Sequence, residues 1–531
     1  MSIDLHTAGK RRGVVCAPHY AAAEAGRMVL SDGGNAIEAM IAMAATIAVI
    51  YPHMSHVGGD AFWLWREPTG RVRAVMAAGR AGARATREHY REHDTIPTRG
   101  PLAALTVPGA VAGWMLALEA ARARSGRQPL ADLLAPAVTY AGQGYAVTKS
   151  QARHTAEKLG ELQDLPGFAQ TFLAERKAPE TDNVLKQPML AATLEQLGHA
   201  GLDDFYRGDV GREIAADLDR IGSPLTRADL EGCRAELVEP LSLRLHYAAL
   251  FNTPPPTQGL ASLVILGLFE RLGVKAGESF DHIHGVVEAT KRALRLRDRV
   301  VADPDRVPHA LHRYLEAPFL DAEARHIDRR KAAPWPQTSS LGDTIWMGAA
   351  DATGLCVSYI QSLYWEFGSG VVLPHTGVLM QNRGASFSLD RNSINVLEPG
   401  RLPPHTLNPA IAELDDGRVI AYGAMGGDGQ PQTQAAVFTR YAVFREPLDR
   451  AIDAPRWLLG RTWGAARSNL RLESRFDANL IEQLEAAGHD VEVLGEAYSD
   501  VMGHAGAMVL NPDGTMEAGH DPRGDGGAAG I

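Results

Sequence analysis

The spacing of apolar residues changes near residue 343, and this change divides the chain into two segments. In the first segment, residues 31–35 offer a turn and a capping side chain ahead of AIEAMIAMAATIAVIYP. This pattern predicts a helix rich in small residues that ends at Pro52 and packs inside other layers. AFWLW and RVRAVMAA, joined by EPTG, then predict a strand hairpin stacked on that helix.

From about Leu102 to Leu294 the patterns are mainly helical, as in PGAVAGWMLALEAARARSG and DVGREIAADLDRIG, and predict a helical cover. Residues 328–343, DRRKAAPWPQTSSLGD, have two prolines and no periodicity, which predicts an exposed, cleavable loop. TIWMGAA, LCVSYIQSL, VVLPHTGVLMQN and AIAELDDGRVIAYGAMGG then predict strands. We therefore expect a stacked α+β domain built from two segments.

Composition narrows the function classes. The 531 residues are 45% apolar and 22% charged with a net charge of −10, so a basic surface for nucleic acid is not expected. The apolar stretch 39–50 is shorter than the roughly 20 residues that a membrane span requires. Arg11 and Arg12 are followed by no apolar core segment, so we expect no secretory signal and a cytoplasmic protein.

Metal and disulfide chemistry are not expected either. The three cysteines, Cys16, Cys233 and Cys356, lie far apart and fit neither a disulfide framework nor a metal motif. His53 and His56 have a spacing seen in metal sites, but no further ligand is near them in the sequence. We expect no metal and no cofactor.

The candidate chemistry is at Thr344. This residue opens the hairpin TIWMGAA-DATG-LCVSYIQSL, and counting back from the turn at 351–354 places it opposite, or one residue from, Ser362. If Thr344 Oγ attacks the carbonyl of Asp343 and water hydrolyses the resulting ester, the freed α-amine has a pKa of about 7.7 to 8.0. One residue then supplies nucleophile and base. On spacing alone, the simpler explanation is favoured: a threonine that begins a strand is usually just a β-branched residue suited to a sheet.

The glycine pair in YGAMGGDGQPQ has two interpretations. Gly426 and Gly427 fit a plain tight turn, because glycine tolerates conformations that other residues avoid. They also fit a turn that exposes two backbone N–H groups to an oxyanion. The spacing leaves both open.

Several blocks resemble the gamma-glutamyltransferase family of N-terminal-nucleophile hydrolases. They are SDGGNAIEAMIA, YPHMSHVGGDAFWLW, TVPGAVAGW, DFYRGDVGREIA, NTPPPTQGL, DTIWMGAADATG, FGSGVVLPHTGVLMQN, MGGDGQ and HDPR, in order over nearly the whole chain. The resemblance implies a four-layer αββα sandwich and a precursor cut into a large chain, 1–343, and a small chain, 344–531. The two chains would form one intertwined α/β heterodimer, and the family pattern allows a dimer of such heterodimers.

The resemblance also implies roles for single residues. Thr344 matches the nucleophile, and Asp343 with Thr344 forms the cleavage site. Ser362 matches a threonine that hydrogen-bonds the nucleophile. Gly426 and Gly427 match the oxyanion-hole glycines, and Arg80 matches the arginine that clamps the substrate carboxylate.

Other positions depart from the transferase pattern. Ser386 replaces an acidic residue that holds the substrate ammonium, and Arg383 replaces a glutamine. His405-Thr406 replaces a serine pair, and Tyr364 replaces an asparagine. The pocket would be about two charge units more positive, and an ammonium beside Arg383 would cost about 4 kcal/mol at 4 Å with an effective dielectric of 20.

These departures favour a small carboxylate-bearing amide without an amino group, held by arginine contacts. GDTIWMG and QNRGASFSLD resemble the branch that includes oxamate amidohydrolase, an enzyme of purine-derived nitrogen salvage. We therefore expect hydrolysis of oxamate to oxalate and ammonia through an ester on Thr344. The alternatives are a gamma-glutamyltransferase, glutathione hydrolase or glutaryl-type acylase, and a catalytically silent binding relative.

Overall fold

Two seven-stranded sheets face each other, and helices cover the outer face of each. The structure is a computed structural model that describes residues 4–307, 310–335, 343–460 and 468–531, with Asp343 described for its backbone alone. Among these residues, each helix is too short or too polar to cross a membrane. The architecture is the α+β, four-layer αββα sandwich that the family resemblance implies.

The strands are β1 His6–Lys10, β2 Gly13–Ala17, β3 Asp60–Arg66, β4 Val72–Ala77, β5 Tyr145–Ala146, β6 Val184–Leu185, β7 Glu236–Val238, β8 Leu241–Arg244, β9 Ala248–Asn252, β10 Asp343–Asp351, β11 Cys356–Tyr364, β12 Ala410–Leu414, β13 Val419–Ala424, β14 Trp457–Gly460, β15 Asn469–Leu472, β16 Val491–Val493, β17 Ala505–Leu510, β18 Met516–His520 and β19 Gly527–Gly530.

The α-helices are α1 Tyr20–Ser31, α2 Ala36–Ile50, α3 Ala110–Arg122, α4 Leu130–Gln143, α5 Lys149–Leu162, α6 Phe168–Phe172, α7 Pro188–Ala200, α8 Asp204–Arg207, α9 Asp209–Ile221, α10 Arg227–Gly232, α11 Gly259–Leu272, α12 Phe280–Val300, α13 Ala317–Ala324, α14 Gln430–Phe438, α15 Leu448–Asp453 and α16 Ala478–Ala486.

Both sheets contain strands from both segments of the chain. The first sheet has the order β19-β2-β10-β11-β3-β4-β7, and the second has the order β1-β18-β17-β13-β12-β9-β8. All neighbouring strands in these two sheets are antiparallel. The segments before and after residue 343 therefore share one hydrogen-bonded framework.

Side chains on β10 alternate between two cores, as strand geometry requires. Ile345 and Met347 pack with the helical layer of α1 to α4, whereas Trp346 lies in the core between the sheets. Trp346 fits there because glycines face it: a Cβ on Gly423 would lie 2.1 Å from its Cδ1, and one on Gly506 would lie 2.4 Å from its Cζ3. The indole ring thus occupies the space that two missing side chains leave.

The predicted central helix is present as α2. Asn35 caps it, with Glu38 completing a capping box, and every residue of the helix is buried. The N–H of Ala36 donates to Asp351 Oδ2 (2.9 Å), which ties the start of the helix to the β10–β11 turn. On the opposite side, α11, α12 and α14 cover the second sheet.

Two expectations from the pattern are wrong. Residues 371–382 form no strand but fold back on themselves: the N–H of Leu373 donates to Val378 O (2.9 Å) across a turn that contains Pro374 and Gly377. Proline lacks an amide hydrogen and Gly377 has a φ of 68°, so neither residue continues an extended ladder. Residues 236–252 form β7, β8 and β9 inside the stretch predicted to be helical, because buried and exposed side chains alternate there.

The predicted loop ahead of β10 is irregular over 328–335, and residues 336–342 lie outside the described part of the chain. Its first half lies along α12. His284 Nε2 contacts Asp328 O (2.8 Å), Lys291 Nζ donates to Ala333 O (2.6 Å), and Ala333 N donates to Glu288 Oε2 (3.1 Å). The chain is therefore held against α12 up to Ala333, shortly before the end of the described stretch.

The substitution Gly423→Ala should destabilise the protein by about 1–3 kcal/mol, because the added methyl group overlaps the ring of Trp346. Urea unfolding gives the free energy. Gly160→Ala in α5 is the control. Apart from its chain neighbours and its own helix backbone, no described atom lies within 4 Å of the position that its Cβ would take, and replacing a helical glycine should stabilise by about 0.5–1 kcal/mol. Equal stability of the Gly423 variant and wild type would contradict the packing.

Acid should destabilise the fold through its buried histidines. Burial lowers the pKa of His19 to about 4 and the pKa of His56 and His520 to about 3. Between those values and about pH 6.5 the unfolded chain binds protons that the folded chain does not, so the free energy of unfolding falls as the pH falls, by about 1.4 kcal/mol per pH unit for each such histidine.

We therefore expect the melting temperature to fall between about pH 7 and pH 5. His56→Gln should remove one of the protons that the chain takes up on unfolding, so the free energy of unfolding should change less steeply with pH, by about 1.4 kcal/mol per pH unit. His246→Gln, which replaces a side chain that is 91% exposed, should leave it unchanged. A flat profile in wild type would contradict the expectation.

Candidate active site

A cavity of about 470 Å³ lies at the end of the sandwich where β11 ends and the chain approaches β12. It collects polar side chains from five separate stretches of sequence. The residues that line it include Arg297, Asp298, Tyr364, Arg383, Ser386, His405, Thr406 and Asp428. Five of the six predicted substrate-binding residues are among them.

Thr344 lies on β10 next to the strand that ends at this cavity. Asp343 pairs with Tyr364 and Ile345 pairs with Gln361, so the register shifts around Thr344 and places it opposite the Ser362–Leu363 stretch, as the hairpin spacing predicts. Its side chain is fully buried, and Oγ1 donates to Gln361 O (2.9 Å). Strand alternation directs Thr344 toward the second sheet, as it does Trp346.

Ser362 and Tyr364 form the end of β11. Ser362 Oγ accepts a hydrogen bond from the N–H of Tyr364 (2.8 Å). Tyr364 has a φ of 87°, a left-handed conformation that is strained for an aromatic residue. This kink ends the strand and places the Tyr364 ring against Arg383, whose guanidinium carbon lies 3.9 Å from the ring centroid.

Arg383 is a buried cation of the cavity that has no acidic partner among the described residues. Its residue exposure is 1%, its terminal nitrogens donate only weakly to Thr406 Oγ1 (3.4 Å each), and its Nε has no hydrogen-bond partner among the described residues. Within those residues, no carboxylate lies within 4.0 Å of the guanidinium. Burial lowers the pKa of Arg383 to about 10, so the group remains protonated at neutral pH. A buried cation is costly without an anion, which makes this group a candidate for binding one.

The second arginine of the cavity is neutralised. Arg297 NH1 donates to Asp428 Oδ1 (2.6 Å) and NH2 donates to Asp298 Oδ1 (2.7 Å). Gln258 accepts from Arg297 NH1 (2.8 Å) and donates from Nε2 to Thr406 O (2.7 Å) and Gly427 O (2.8 Å). Gln258 therefore links the loop before β12 to the glycine turn after β13.

Sequence reasoning did not identify Arg297, Asp428 or Gln258 as site residues. Asp428 directly follows the glycine pair, and Gln258 lies in the block NTPPPTQGL. The family motifs could therefore have pointed to these two residues. Arg297 sits near the end of a long helix and carries no local signal.

The glycine pair adopts the turn that both of its interpretations require. Gly426 and Gly427 have φ values of 113° and 53°, and the N–H of Gly429 donates to Gly426 O (2.7 Å). The N–H groups of Gly426 and Gly427 donate to no other described residue. They lead into the N-terminus of α14, where backbone dipoles favour negative charge. The geometry suits an oxyanion.

His405 is buried against an acid that the sequence analysis did not select. His405 Nε2 lies 3.1 Å from Asp60 Oδ2, and Asp60 Oδ1 accepts from the N–H groups of Gly79 and Gly109 (2.9 Å each). Burial, together with the charge of Arg383, lowers the pKa of His405 to about 4, so the ring is neutral at pH 7. Asp60 pairs with Ser362 across β3 and β11, which places it beside the hairpin that contains Thr344.

Ser386 lines the cavity, but its hydroxyl is engaged by the backbone. Oγ donates to Arg383 O (2.7 Å) and contacts Pro404 O (3.1 Å). The serine therefore fixes the wall of the cavity that carries Arg383.

Arg80, the sixth predicted substrate-binding residue, does not line this cavity. Its side chain is 47% exposed, donates to Gly400 O (3.1 Å) and lies 3.6 Å from Glu236. Arg80 lines a separate cavity of about 360 Å³ with Asp229 and Arg234. The N–H of Val107 donates to Arg80 O (3.1 Å), which ties this segment to the neighbouring loop.

One group of side chains in the described part of the chain could offer ligands to a metal ion, but its ligand atoms already contact other protein groups. His284, Glu288 and His489 bring potential ligand atoms within 4.8 Å of one another. His284 contacts His489 Nε2 (2.9 Å), and Glu288 binds Lys291 (2.6 Å). Through His284 and Glu288, the cluster holds the segment 328–335 against α12.

Comparison with known proteins places this geometry in a family. The gamma-glutamyltranspeptidase family model matches residues 22–531. The chain is 50% identical over 520 residues to the oxamate amidohydrolase proenzyme of Klebsiella pneumoniae, covering 98% of each, and 40% identical over 521 residues to a glutathione hydrolase-like proenzyme of Bacillus subtilis, again covering 98% of each.

Among solved structures, cephalosporin acylase from Bacillus halodurans superposes with a TM-score of 0.90 at 31% identity, covering 100% of this chain and 98% of that one. Sequence and fold agree over nearly the whole length of the chain. The chain therefore belongs to the gamma-glutamyltranspeptidase family and is an N-terminal-nucleophile amidohydrolase.

Proposed function

We propose that the chain is a precursor that cleaves itself between Asp343 and Thr344 and then hydrolyses a small carboxylate-bearing amide, oxamate foremost, to the dicarboxylate and ammonia. The observation that carries the proposal is Arg383, a buried guanidinium without a described acidic partner in the cavity beside the hairpin of Thr344. The 50% identity to an oxamate amidohydrolase proenzyme supports the same substrate.

Self-cleavage needs only the residues at the junction. Thr344 Oγ attacks the carbonyl carbon of Asp343, the carbon–nitrogen bond breaks, and the hydroxyl proton passes to the nitrogen. Water then hydrolyses the ester, which leaves a carboxylate on Asp343 and a free α-amine on Thr344. Before cleavage, the hydrogen bond from Thr344 Oγ1 to Gln361 O holds the hydroxyl in one rotamer.

Amide hydrolysis uses the groups that cleavage creates. The α-amine of Thr344 accepts the hydroxyl proton as Oγ attacks the amide carbon of the substrate, and it delivers that proton to the departing nitrogen, so ammonia leaves and an ester remains. The same amine then activates water, which releases the acid and restores the hydroxyl. The N–H groups of Gly426 and Gly427 are proposed to stabilise the oxyanion in both steps.

The charges around the cavity favour an anion that lacks an ammonium group. Arg383 would bind the substrate carboxylate, which replaces the missing counter-ion. Asp298 and Asp428, the acids of the lining, both hydrogen-bond to Arg297 and so are engaged by a protein cation. An ammonium near Arg383 would be repelled by about 4 kcal/mol at 4 Å with an effective dielectric of 20.

The division into chains 1–343 and 344–531 is part of the proposal. β2, β3 and β9 from the first segment pair with β10, β11 and β12 from the second. The two chains could separate only if both sheets were broken. We therefore infer a stable α/β heterodimer after the cut.

A second candidate is a glutaryl-type acylase or gamma-glutamyl hydrolase. The observation in its favour is the cavity volume of about 470 Å³, which admits acids longer than oxamate, together with the similarity to cephalosporin acylase. An ammonia-release screen over small carboxylate amides, run beside chromophore release from a gamma-glutamyl anilide, separates the two. Preference for glutamine or glutathione would refute the charge argument.

Thr344→Ala should remain a single chain of 57.1 kDa, whereas wild type should give fragments of about 37 and 20 kDa. Denaturing gels and intact mass report the cut. Thr353→Ala, which changes a threonine in the turn of the same hairpin, is the matched control and should cleave normally. Cleavage or ammonia release by the Thr344 variant would end the proposal, and an uncut but active wild type would do the same.

Arg383→Met should lower kcat/KM for oxamate by about 10²-fold or more, because loss of one partner of a buried ion pair costs about 3–5 kcal/mol. The kcat/KM of Arg383→Lys should lie between that of wild type and that of Arg383→Met, because lysine keeps the charge but loses the planar group stacked on Tyr364. Each variant is assayed after its self-cleavage has been verified on a gel.

Arg80→Met is the control for this series. Because Arg80 lines the separate cavity, its replacement should leave kcat/KM nearly unchanged. A loss as large as that of Arg383→Met would restore Arg80 to the substrate site.

A further inference from the structure

The glycine turn after β13 contains two residues that no side chain of their own holds in place. Gly426 and Gly427 have φ values of 113° and 53°, and glycine populates such conformations and their alternatives almost equally well. The direction of their N–H groups therefore depends on hydrogen bonds around the turn. The N–H of Gly429 donates to Gly426 O (2.7 Å), which fixes the peptide unit before Gly427. Side chains from distant parts of the chain fix the unit after it.

Gln258 holds the peptide unit that follows Gly427. It is 1% exposed, and its Nε2 donates to Gly427 O (2.8 Å) and to Thr406 O (2.7 Å). Both partners are carbonyl oxygens, which only accept, so the NH₂ group of the amide must face them. Its Oε1 faces Arg297, which only donates (2.8 Å). Exchanging the two ends of the amide would break all three contacts, so the orientation of Gln258 is fixed.

Arg297 holds Gln258 and the residue on the other side of the same peptide unit. One terminal nitrogen of Arg297 donates to Gln258 Oε1 (2.8 Å) and Asp428 Oδ1 (2.6 Å), and the other donates to Asp428 Oδ2 (3.3 Å). A planar guanidinium can make this set of contacts because its donors point in fixed directions, whereas lysine has a single nitrogen. Arg297 therefore reaches the Gly427–Asp428 unit from both of its ends.

The position of Arg297 is fixed by the core of the second sheet. The residue lies in the last turn of α12, and Leu294 of this helix lies in the same hydrophobic core as Val437 of α14. The glycine turn leads directly into α14. Because one closely packed core holds both helices, it keeps Arg297 at a set distance from the turn.

We propose that Arg297 is a positioning residue for amide hydrolysis, which acts through Gln258 and Asp428 to fix the direction of the oxyanion-binding N–H groups. This inference rests on the proposed function, in which the glycine turn stabilises the oxyanion. The charge of Arg297 has a separate effect, because it neutralises a carboxylate that would otherwise repel an anionic substrate. The fork of the guanidinium thus acts on the chemical step, and its charge acts on binding.

Arg297→Lys separates the two effects. Lysine keeps a positive charge beside Asp428 but lacks the fork that contacts Asp428 and Gln258 together. We expect kcat for oxamate to fall by about 10- to 100-fold, the usual cost of a misplaced oxyanion donor. KM should change by less than about threefold, since the oxyanion exists only in the transition state. A wild-type kcat, or an effect confined to KM, overturns the inference.

The variants Arg297→Met and Arg297→Met/Asp428→Asn test the role of the charge. The single variant leaves the carboxylate of Asp428 without this cation, so KM for oxamate should rise by about tenfold in addition to the fall in kcat. Asparagine removes the negative charge, so KM of the double variant should fall back by about threefold or more while kcat stays low. A double variant with the wild-type kcat would show that charge alone matters and would overturn the positioning role.

Arg440→Lys is the matched control. Arg440 is also a buried arginine with two contacts to one carboxylate, that of Glu278 (2.6 and 3.0 Å), and neither residue lines the cavity. Loss of this fork should lower stability but leave kcat and KM within about twofold of wild type. A tenfold fall in kcat here would mean that kcat reports general damage, and the inference would fail.

Gln258→Met covers the case in which the Arg297 variants do not fold. Methionine has a similar length and adapts to its surroundings, but it has no amide, so Gly427 O loses its donor. The ion pair between Arg297 and Asp428 stays. We expect kcat to fall by about tenfold or more, and an unchanged kcat overturns the inference.

The constants are measured on processed enzyme with oxamate and with a gamma-glutamyl anilide, so that the two proposals fail separately. If wild type hydrolyses the anilide but not oxamate, the proposed substrate is wrong, and the kcat ratios on the anilide decide the role of Arg297. If wild type hydrolyses oxamate and Arg297→Lys keeps the wild-type kcat, the proposed function stands and the positioning role is refuted. Wild type that hydrolyses no amide refutes both.

Discussion

Trp346 packs between the two sheets, and this contact governs how the layers meet. The ring fits because Gly423 and Gly506 have no side chains at the positions facing it, so strand β10 has one allowed placement against the second sheet. Close packing of this kind tolerates little displacement. Since Thr344 lies two residues before Trp346 on the same face of the strand, this packing also sets where the proposed nucleophile lies relative to the glycine turn after β13 and the loop before β12.

The two arginines of the cavity differ in whether an acidic side chain pairs with them. Arg297 engages Asp298 and Asp428, and Gln258 connects this group to the backbone of Thr406 and Gly427. Arg383, in contrast, has the face of Tyr364 and one hydroxyl oxygen as its polar surroundings. A guanidinium that is buried yet lacks an anion is held ready for one, because folding has already removed it from water. For the proposed substrate, the neutralisation of Asp298 and Asp428 by Arg297 therefore matters as much as the positive charge of Arg383.

The strands of the two segments are interleaved, and the region around the proposed cut is held from both sides. Upstream, residues 328–335 lie along α12 through His284, Glu288 and Lys291. Downstream, β10 pairs with β2 and β11 at the centre of the first sheet. A peptide bond between two fixed ends can be broken without loss of the fold, because the sheets rather than the covalent link keep the segments together. This explains physically how one chain could mature into two.

Elements whose signals are local could be predicted from the order of the amino acids alone. These are the capped helix α2, the β3–β4 and β10–β11 hairpins, the register that places Thr344 near Ser362, and, through the family resemblance, the layered fold and most residues of the cavity. Two features became visible only in the folded chain: residues 371–382 turn back at Pro374 and Gly377 instead of forming a strand, and Arg80 and Arg383 line different cavities. Asp60 and His405 are 345 residues apart, and Arg297 and Asp428 are 131 residues apart. No periodicity links such residues. Which charges are paired and which remain available to a substrate was therefore settled by folding, because folding brings strand ends and a helix end to one cavity.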